Sequence, residues 1–585
     1  MNTPCYSCVG RNPVTDNIDV WTSAYINKST VGRGSNGKQE AYGIKKLREL
    51  ILDLAVRGML VSQDSNDEPA SELLKKIAAE KEKFYKEKKI KNKKALSQID
   101  DDEKMFELPI SWEWVRLGDI QYFTNGFAFK SADLHDGPGV GVVKIGDVYR
   151  GEGIAEHKMQ YVSNSHAKSI DSKYEILPGD LVITMTGDVK VGFNNTDKLF
   201  LLNQRVGKIK CFMVNPRYIY NQLVTVAEQK IEEASGGVIP NVSTSEINTT
   251  IISLPPEKEQ DRIVAKVDEL MALCDQLEQQ QTDSIAAHQT LVETLLGTLT
   301  NVASPEEFQQ AWNRIANHFD TLFTTEHSID QLKQTILQLA VMGRLVSRNP
   351  RDDSAIKLVA QLKKETTRGT WITQNHPVID DQIPFKLPSN WVWMTTQQIS
   401  RDGHPITYGI LKPIWEKNGI PTVRVTEMKT GEILVESLPK CQPARAEKFS
   451  KTTLDEGDLL ISKDGTIGKT AFVPPELKGG NITQHVLRFP ISKRINRYYI
   501  KICIDAPCIQ QWIRGETKGV ALKGINVSDF RRLPLPIPPL EEQHRIVTKV
   551  DELMTLCDTL KARIKDAQTS QTQLADTIVE QAVVQ

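Results

Sequence analysis

One stretch limits the possible folds more than any other. PPEKEQDRIVAKVDELMALCDQL (Pro255–Leu277) returns as PPLEEQHRIVTKVDELMTLCDTL (Pro538–Leu560), with 17 of 23 positions identical. A period of about 280 residues is far too long for a solenoid and denotes a duplicated half-protein. Other anchors repeat in the same order. ILDLAVRGMLVS (Ile51–Ser62) returns as ILQLAVMGRLVS (Ile336–Ser347), and FELPISWEW (Phe106–Trp114) as FKLPSNWVW (Phe385–Trp393). GDLVI at Gly179 returns as GDLLI at Gly457, and NVS occurs at Asn241 and Asn526. Between these anchors the halves differ widely. A frame is kept while its filling changes.

Each half reads as four parts. A helical segment comes first, with Leu47, Leu50, Ile51, Leu54 and Ala55 at helical spacing. A charged stretch follows, AAEKEKFYKEKKIKNKK (Ala78–Lys94), which reads as a solvated helix or linker, or else as an arm along a nucleic-acid backbone. Next comes a strand-rich globule with turn signals between short apolar runs. A long helix then starts after Pro255-Pro256 or Pro538-Pro539. Its heptad seam is Ile263, Val267, Leu270, Cys274 and Leu277, and in the copy Ile546, Val550, Leu553, Cys557 and Leu560. At roughly 40 residues such a helix is about 60 Å long and needs a partner, most simply its own copy. Val264, Met271 and Leu273 flank the first seam; with Met554 they widen the apolar face beyond what two helices need, which predicts a docking surface for partner subunits.

The expected fold is therefore mixed α/β, with two strand-rich globular domains, two long helices forming an antiparallel coiled coil, and an internal pseudo-two-fold repeat. The expected parts are an N-terminal tail and helical segment (1–104), a first globule (105–254), a central helix (255–300), a helical connector (301–384), a second globule (385–537) and a C-terminal helix (538–585).

Composition narrows function by exclusion. The chain is 39% hydrophobic and 25% charged, and no apolar run approaches the roughly 20 residues that span a bilayer. The first 20 residues lack the basic start and apolar core of an export signal, so the cytoplasm is the expected location and no membrane partner is expected. Cys5 and Cys8 form a lone CxxC without the second pair that a zinc site needs. The net charge of −1 hides an asymmetry. Phe385–Ile537 holds 23 Lys/Arg against 14 Asp/Glu, whereas Phe106–Leu254 holds 14 against 17. A phosphate-binding surface is open to the second globule as a whole and must be local in the first.

Catalytic motifs are missing. GTIGKT (Gly465–Thr470) imitates the end of a phosphate-binding loop, but the required upstream Gly is Lys463 and an apolar strand follows where a helix should. GPGVG (Gly137–Gly141) lacks the setting of a dinucleotide site. The Pro-Pro pairs precede helices and do not belong to an amino-methyltransferase motif. What remains is recognition chemistry, since Arg and Lys suit guanine edges and phosphates, and Asn and Gln suit adenine edges. The candidates in the first globule are Asn125, Lys130, Lys144, Thr186, Lys190, Gln204 and Arg205. Those in the second are Tyr408, Lys412, Arg424, Lys463, Thr466, Lys469, Gln484, His485 and Lys523. Lys144 and Arg424 stand near the same anchors in both halves, as do Gln204 and Gln484.

The paired PP…EQ.RIV.KVDELM.LCD stretches, the LP..W.W segments and the GDL strands resemble the specificity subunits of type I restriction–modification systems. Trp21–Lys38 and Tyr42–Val61 are similar to the N-terminus of the branch called type IB. The resemblance covers nearly the whole chain. It implies that each globule is a target recognition domain reading one half of a bipartite double-stranded DNA site, with the antiparallel helices setting the gap. It implies no catalysis and no cofactor on this chain. Two modification subunits would use S-adenosylmethionine to methylate adenine, and restriction subunits would use ATP and Mg2+ to translocate and cut. A self-contained methyltransferase or nuclease would need the missing motifs. A coiled-coil scaffold with no DNA role would leave the basic second globule unexplained.

Overall fold

The apolar stripe of α2 (Tyr42–Val56) is buried along Leu47, Leu50, Ile51 and Leu54, as its spacing predicts. Where that helix stops, Gly58 adopts φ +72° and the Met59 amide donates to the Leu54 carbonyl, the left-handed ending that favours glycine. A Cβ at Gly58 would lie 2.6 Å from the Pro109 ring and 3.0 Å from Trp112. The repeat behaves alike: Gly343 has φ +68°, and its Cβ would meet Pro388 at 2.7 Å and Trp391 at 3.1 Å. Two anchors far apart in sequence, the G.LV and LP..W segments, are thus one packing joint made twice. The computed structural model describes residues 12–27, 39–88, 96–149, 153–187, 189–233, 242–302, 304–365, 383, 385–429, 431–515 and 524–584. Cys5 and Cys8 lie outside them.

The chain forms two compact units, Met1–Ser284 with Ala567–Gln585, and Ile285–Asp566. In the first unit, α1 (Ile18–Ser23) and α2 precede α3 (Ala70–Glu87). Strand β1 (Glu113–Arg116) enters the globule and pairs antiparallel with β10 (Ile251–Leu254), which leaves it. Between them lie β2 (Gln121–Asn125), β3 (Val140–Val143), β4 (Gln160–Val162), β5 (Glu175–Ile176), β6 (Leu181–Thr184), β7 (Val191–Phe193), β8 (Phe200–Leu202) and β9 (Val206–Cys211). They form two four-stranded sheets of order β7-β6-β9-β2 and β4-β3-β8-β5, with β3 and β8 parallel. Helix α4 (Pro216–Glu233) follows, and α5 (Glu257–Asn301) starts directly after the Pro-Pro pair.

In the second unit, α6 (Pro305–Asn317) opens with the Ser304–Glu307 capping box that its sequence predicts. After it come α7 (Glu326–Val341) and α8 (Ala355–Glu365). The strands are β11 (Val392–Thr395), β12 (Thr407–Tyr408), β13 (Trp415–Val423), β14 (Lys440–Cys441), β15 (Leu459–Ser462), β16 (Thr470–Phe472), β17 (Asn481–Ile482), β18 (Val486–Phe489) and β19 (Pro534–Ile537). Helix α9 (Arg497–Asp505) stands before β19, and α10 (Leu540–Val584) closes the unit and continues beyond it. The sheets have orders β12-β18-β15-β16 and β14-β13-β17, with β13 and β17 parallel, and β11 pairs with β19. Apart from β5, which has no counterpart among the described strands of the second globule, this is the topology of the first globule. The filling differs in sequence, but its fold repeats.

The start of each long helix is locked to its globule by the same residues. Gln260 accepts from the Asn215 amide at 2.8 Å and donates to the Pro255 carbonyl at 3.0 Å; Gln543 does so with Asn496 at 2.9 Å and Pro538 at 2.9 Å. Arg262 pairs with Asp67 at 2.7 Å, and Arg545 pairs with Asp352. Buried Glu259 accepts from Trp112 Nε1 at 3.1 Å and from Gln63. Burial pushes the Glu259 carboxyl up to about 7, against the opposing hydrogen bonds from Trp112 and Gln63. The same cause raises Glu542. A carboxyl whose folded value lies above its unfolded value favours the fold most at low pH. That contribution is lost as pH rises from the ordinary 4.5 towards 7, roughly 3 kcal/mol in all for Glu259. Glu259→Gln is expected to flatten the dependence of the first unit's urea midpoint between pH 5 and 8. An unchanged slope would count against this assignment.

The long helices extend one expectation. Each has 45 residues, about 68 Å. Each unit holds the beginning of one helix and the end of the other, so they run in opposite senses. Yet the seam's partner is not simply its copy. Ile263, Val267, Leu270, Cys274 and Leu277 share one core with α2 and with Ala575 and Ala582 of α10. Ile546, Val550 and Cys557 share another with α7 and with Val292, Leu296 and Leu299 of α5, and Leu553 and Leu560 pack against it half-buried. Ion pairs mark the same layering, from Arg48 to Asp275 and Glu278, and from Lys561 to Asp330.

The residues expected to form the docking surface lie beside these cores. Val264 is 8% exposed, inside the first core, while Met271 and Leu273 pack half-buried against it and Met554 against the second. The repeated helical segments cover what two helices alone would leave open. The charged stretch is also no free arm where it is described. Phe84 of α3 packs edge-on to Phe212 at 5.4 Å, and Lys81 donates to the Gly118 carbonyl. Among the described residues no helix is long and apolar enough to cross a membrane.

Candidate nucleic-acid interface

Strand register gathers the candidate residues. In the first globule β6 ends at Thr184 opposite Val206, where β9 begins, and β2 ends at Asn125 opposite Gly207. The parallel strands β3 and β8 finish together, at Val143 and Leu202. Five strands therefore offer their loops at one end, and these loops carry Asn125, Lys144, Thr186, Gln204 and Arg205. Close backbone contact is part of the construction. A Cβ at Gly126 would sit 1.9 Å from the Asn203 carbonyl oxygen, so only glycine lets the loop after β2 approach the loop after β8. Thr244 donates to Asn125 Oδ1 at 2.9 Å, and Arg205 donates to Thr186 Oγ1 at 3.3 Å. Gln204 and Arg205 are exposed.

The second globule repeats the rim with other side chains. Ser462 faces Val486, Tyr408 faces Leu487, and the Thr483 amide donates to the Val423 carbonyl at 3.0 Å. Tyr408, Arg424, Lys463, Gln484 and His485 thus meet at the same sheet end. Gly409 stands where Gly126 does, its Cβ 1.8 Å from the Ile482 carbonyl oxygen. Gln204 and Gln484 hold one place in the two folds, two residues past β8 or β17 and two before β9 or β18. The Lys463 ammonium lies 5.7 Å above the Tyr408 ring, and His485 Nδ1 is 2.8 Å from Asp464.

Other candidates are engaged within their domains. Lys144 reaches Gln160 Oε1 and its amide donates to Asp147 at 2.8 Å. Arg424 is tied to Glu427, whose carboxylate accepts from the Arg424 amide and from its guanidinium. Burial opposes ionisation of Glu427, but the hydrogen bonds from Arg424 and Thr426 outweigh it and hold the carboxyl below its ordinary value. The shared position of Lys144 and Arg424 therefore reflects a repeated acid-capped turn. Lys190 lies 5.6 Å above the Tyr149 ring. Lys130, Lys412, Thr466 and Lys469 are exposed, and Lys523 lies outside the described residues. The GTIGKT stretch forms the hairpin between β15 and β16, with the Ser462 amide on the Lys469 carbonyl at 2.9 Å.

Sequence reasoning missed what supports the rims. Asp458 is fully buried and accepts from Arg488 Nε at 2.6 Å and from Arg401. Arg488 stands opposite Leu460 on the neighbouring strand. In the first globule Lys208 holds the matching place opposite Val182 and lies 3.5 Å from Asp180. The repeated GDL motif is thus an aspartate that caps its own turn and meets a cation on the next strand. The basic partner was hidden because it is Lys in one copy and Arg in the other. The exposed Trp415, which lies under Arg424 at 5.9 Å, was also missed, since the first half has no counterpart to point to it.

Comparison with known proteins gives a consistent result. The family described as Type I restriction modification DNA specificity domain matches residues 109–287 and 407–567. The Type I restriction enzyme EcoEI specificity subunit of Escherichia coli is 36% identical, over 97% of this chain and 99% of its own. The EcoAI specificity subunit, also from Escherichia coli, is 35% identical, again over 97% and 99%. Among solved structures, the HsdS subunit from Thermoanaerobacter tengcongensis aligns over 82% of this chain and 98% of its own, with 17% identity and a TM-score of 0.41.

Proposed function

The chain belongs to the family of type I restriction–modification specificity subunits, and on that premise we propose that its two sheet-end rims read the two halves of a bipartite DNA site. The observation that carries this is the same rim built twice on one topology from divergent side chains. A device that reads two different half-sites needs a constant frame and variable edges. The chain supplies recognition and an assembly platform, and catalysis belongs to modification and restriction subunits. S-adenosylmethionine, ATP and Mg2+ act on those partners, and the complex works in the cytoplasm. The long helices, each passing from one unit to the other, set the gap between half-sites.

The test uses the chain assembled with its modification subunits and fluorescence anisotropy on bipartite duplexes. Gln204→Ala is expected to relax discrimination at one half-site and Gln484→Ala at the other. A lost side-chain pair with a base edge weakens discrimination by about 1–3 kcal/mol, roughly 5- to 150-fold. Lys463→Ala should weaken binding on every sequence and lower the salt slope by about 1. If neither glutamine change alters sequence preference, the rims are not the readers. If the complex shows no salt-sensitive preference for any bipartite duplex, the functional reading itself fails.

A further inference from the structure

The two recognition domains differ most plainly between their first and second inner strands. In the first domain the aromatic residues of this segment turn inward. Phe127 packs on Phe129 at 5.0 Å and on Tyr174 at 5.4 Å, and Phe129 packs on the small cluster of Val142, Val162 and Leu201. In the second domain the matching segment, YGILKPIWEKNG (Tyr408–Gly419), buries Ile410 against Cys441 and Ala446 but turns the apolar side chains beyond it to solvent. Leu411 is 42% exposed, Ile414 54% and Trp415 42%.

This protrusion is built, and its shape is fixed from three sides. Lys412 takes φ +48°, unusual for a residue with a side chain, and Pro413 follows it. Arg445 donates to the Leu411 carbonyl, and the Gln442 amide donates to the Ile414 carbonyl at 2.8 Å. The register of β13 against β14 then jumps, with Trp415 and Ile420 both opposite Cys441, so the intervening residues bulge out. A Cβ at Gly419 would lie 2.2 Å from the Cys441 carbonyl oxygen, which seals the base of the bulge. The arm is continuous with the rim: the Gln484 amide donates to Ile410 at 3.0 Å, and Arg424 covers Trp415.

We propose that this arm is an apolar wedge that enters duplex DNA at the second half-site, with Ile414 and Trp415 opening a base step. Resting on the functional reading above, it adds deformation of the duplex to base contact. Two properties favour DNA as the occupant. The apolar residues are interleaved with cations, Lys412 before Ile414 and Lys417 after Trp415, which suit the phosphates on either side of an opened step. The arm also adjoins the edge residues of the rim, where a duplex would lie. Aliphatic and aromatic side chains inserted between bases unstack and bend DNA, and the sequence of the deformed step then contributes to specificity. The first domain, whose aromatics are folded inward, reads without such a wedge.

The experiment uses the complex with modification subunits and bipartite duplexes carrying 2-aminopurine at successive positions other than the methylated adenines. Wild type is expected to raise the fluorescence at one step of the second half-site at least about threefold and at none of the first. Ile414→Ser with Trp415→Ser should abolish that rise and weaken binding about tenfold, while the melting temperature and the first half-site are unchanged. No rise at any position in wild type, or unchanged affinity in the variant, would overturn the wedge. A variant that melts normally but no longer assembles with the modification subunits would assign the arm to a protein partner and overturn it too. Loss of all bipartite preference in wild type would instead reject the functional reading.

Discussion

Replacing Asp458 with Ala is expected to unfold the second recognition domain while leaving the first intact. Asp458 is 0% exposed and Arg488 3%, so the substitution leaves a buried guanidinium with only the more exposed Asp455 as counter-ion. Breaking a buried pair from one side costs about 3–5 kcal/mol, a large share of a domain's stability. Asp455 retains one contact with Arg488 at 3.0 Å, and the Lys451 carbonyl another at 3.1 Å; neither replaces the bond to Nε. The matching change in the first domain, Asp180→Ala, should cost about 1 kcal/mol at most, because that pair is longer and more accessible to water. Urea unfolding followed by hydrogen exchange in β15 and β18 separates the two outcomes. Equal losses in both domains would show that the buried cluster has no special weight.

Trp112→Ala should be nearly as severe in the first unit. Trp112 is 4% exposed, supports the left-handed turn at Gly58, meets Tyr218 edge-on at 6.5 Å and donates to Glu259. Truncating a buried tryptophan costs about 3–5 kcal/mol from lost burial and the cavity that remains. Trp391→Ala, with Tyr499 at 6.4 Å, should cost about as much in the second unit. Protection of α2 against hydrogen exchange should fall in the first variant, and that of α7 in the second. A change that leaves both helices protected would show that the joint does not hold them.

The repeat anchors were legible as anchors because packing demands the same residue types wherever the same joint is made. Phe106 packs at a tilt on Trp114 at 4.8 Å and Phe385 on Trp393 at 5.2 Å, so the F.LP..W.W spacing is a folded contact written into sequence. The heptad seam was legible as burial but not as partnership. Ile263 and Val267 announce an apolar stripe, and nothing in the stripe says that α2 covers it. The topology shared by the globules was invisible for a related reason. Strands that are mostly two to four residues long impose little pattern, and Val182 opposite Lys208 keeps its register with no resemblance to Leu460 opposite Arg488. Rim residues were the least legible, because their position depends on register and close approach at Gly126 and Gly409. Gln204 and Gln484 were found from their place relative to the anchors, whereas Trp415 had no partner in the other half.

The arrangement of the long helices also sets an order of synthesis. The second unit draws on one continuous stretch, Ile285–Asp566, and its core can close while the chain is still being made. The first unit cannot. Ala575 and Ala582 belong to its core, Asp576 accepts from the Tyr42 hydroxyl at 2.7 Å, and Gln568 reaches the Tyr25 hydroxyl. A domain begun first is thus completed last, waiting through more than 500 residues of translation for the end of its final helix. During that wait the part of the first unit's core that Ala575 and Ala582 close stays open. A ribosome that stops before residue 567 would release a chain with a finished second reader and an open first one, a product that chaperones or proteases would recognise by that open core.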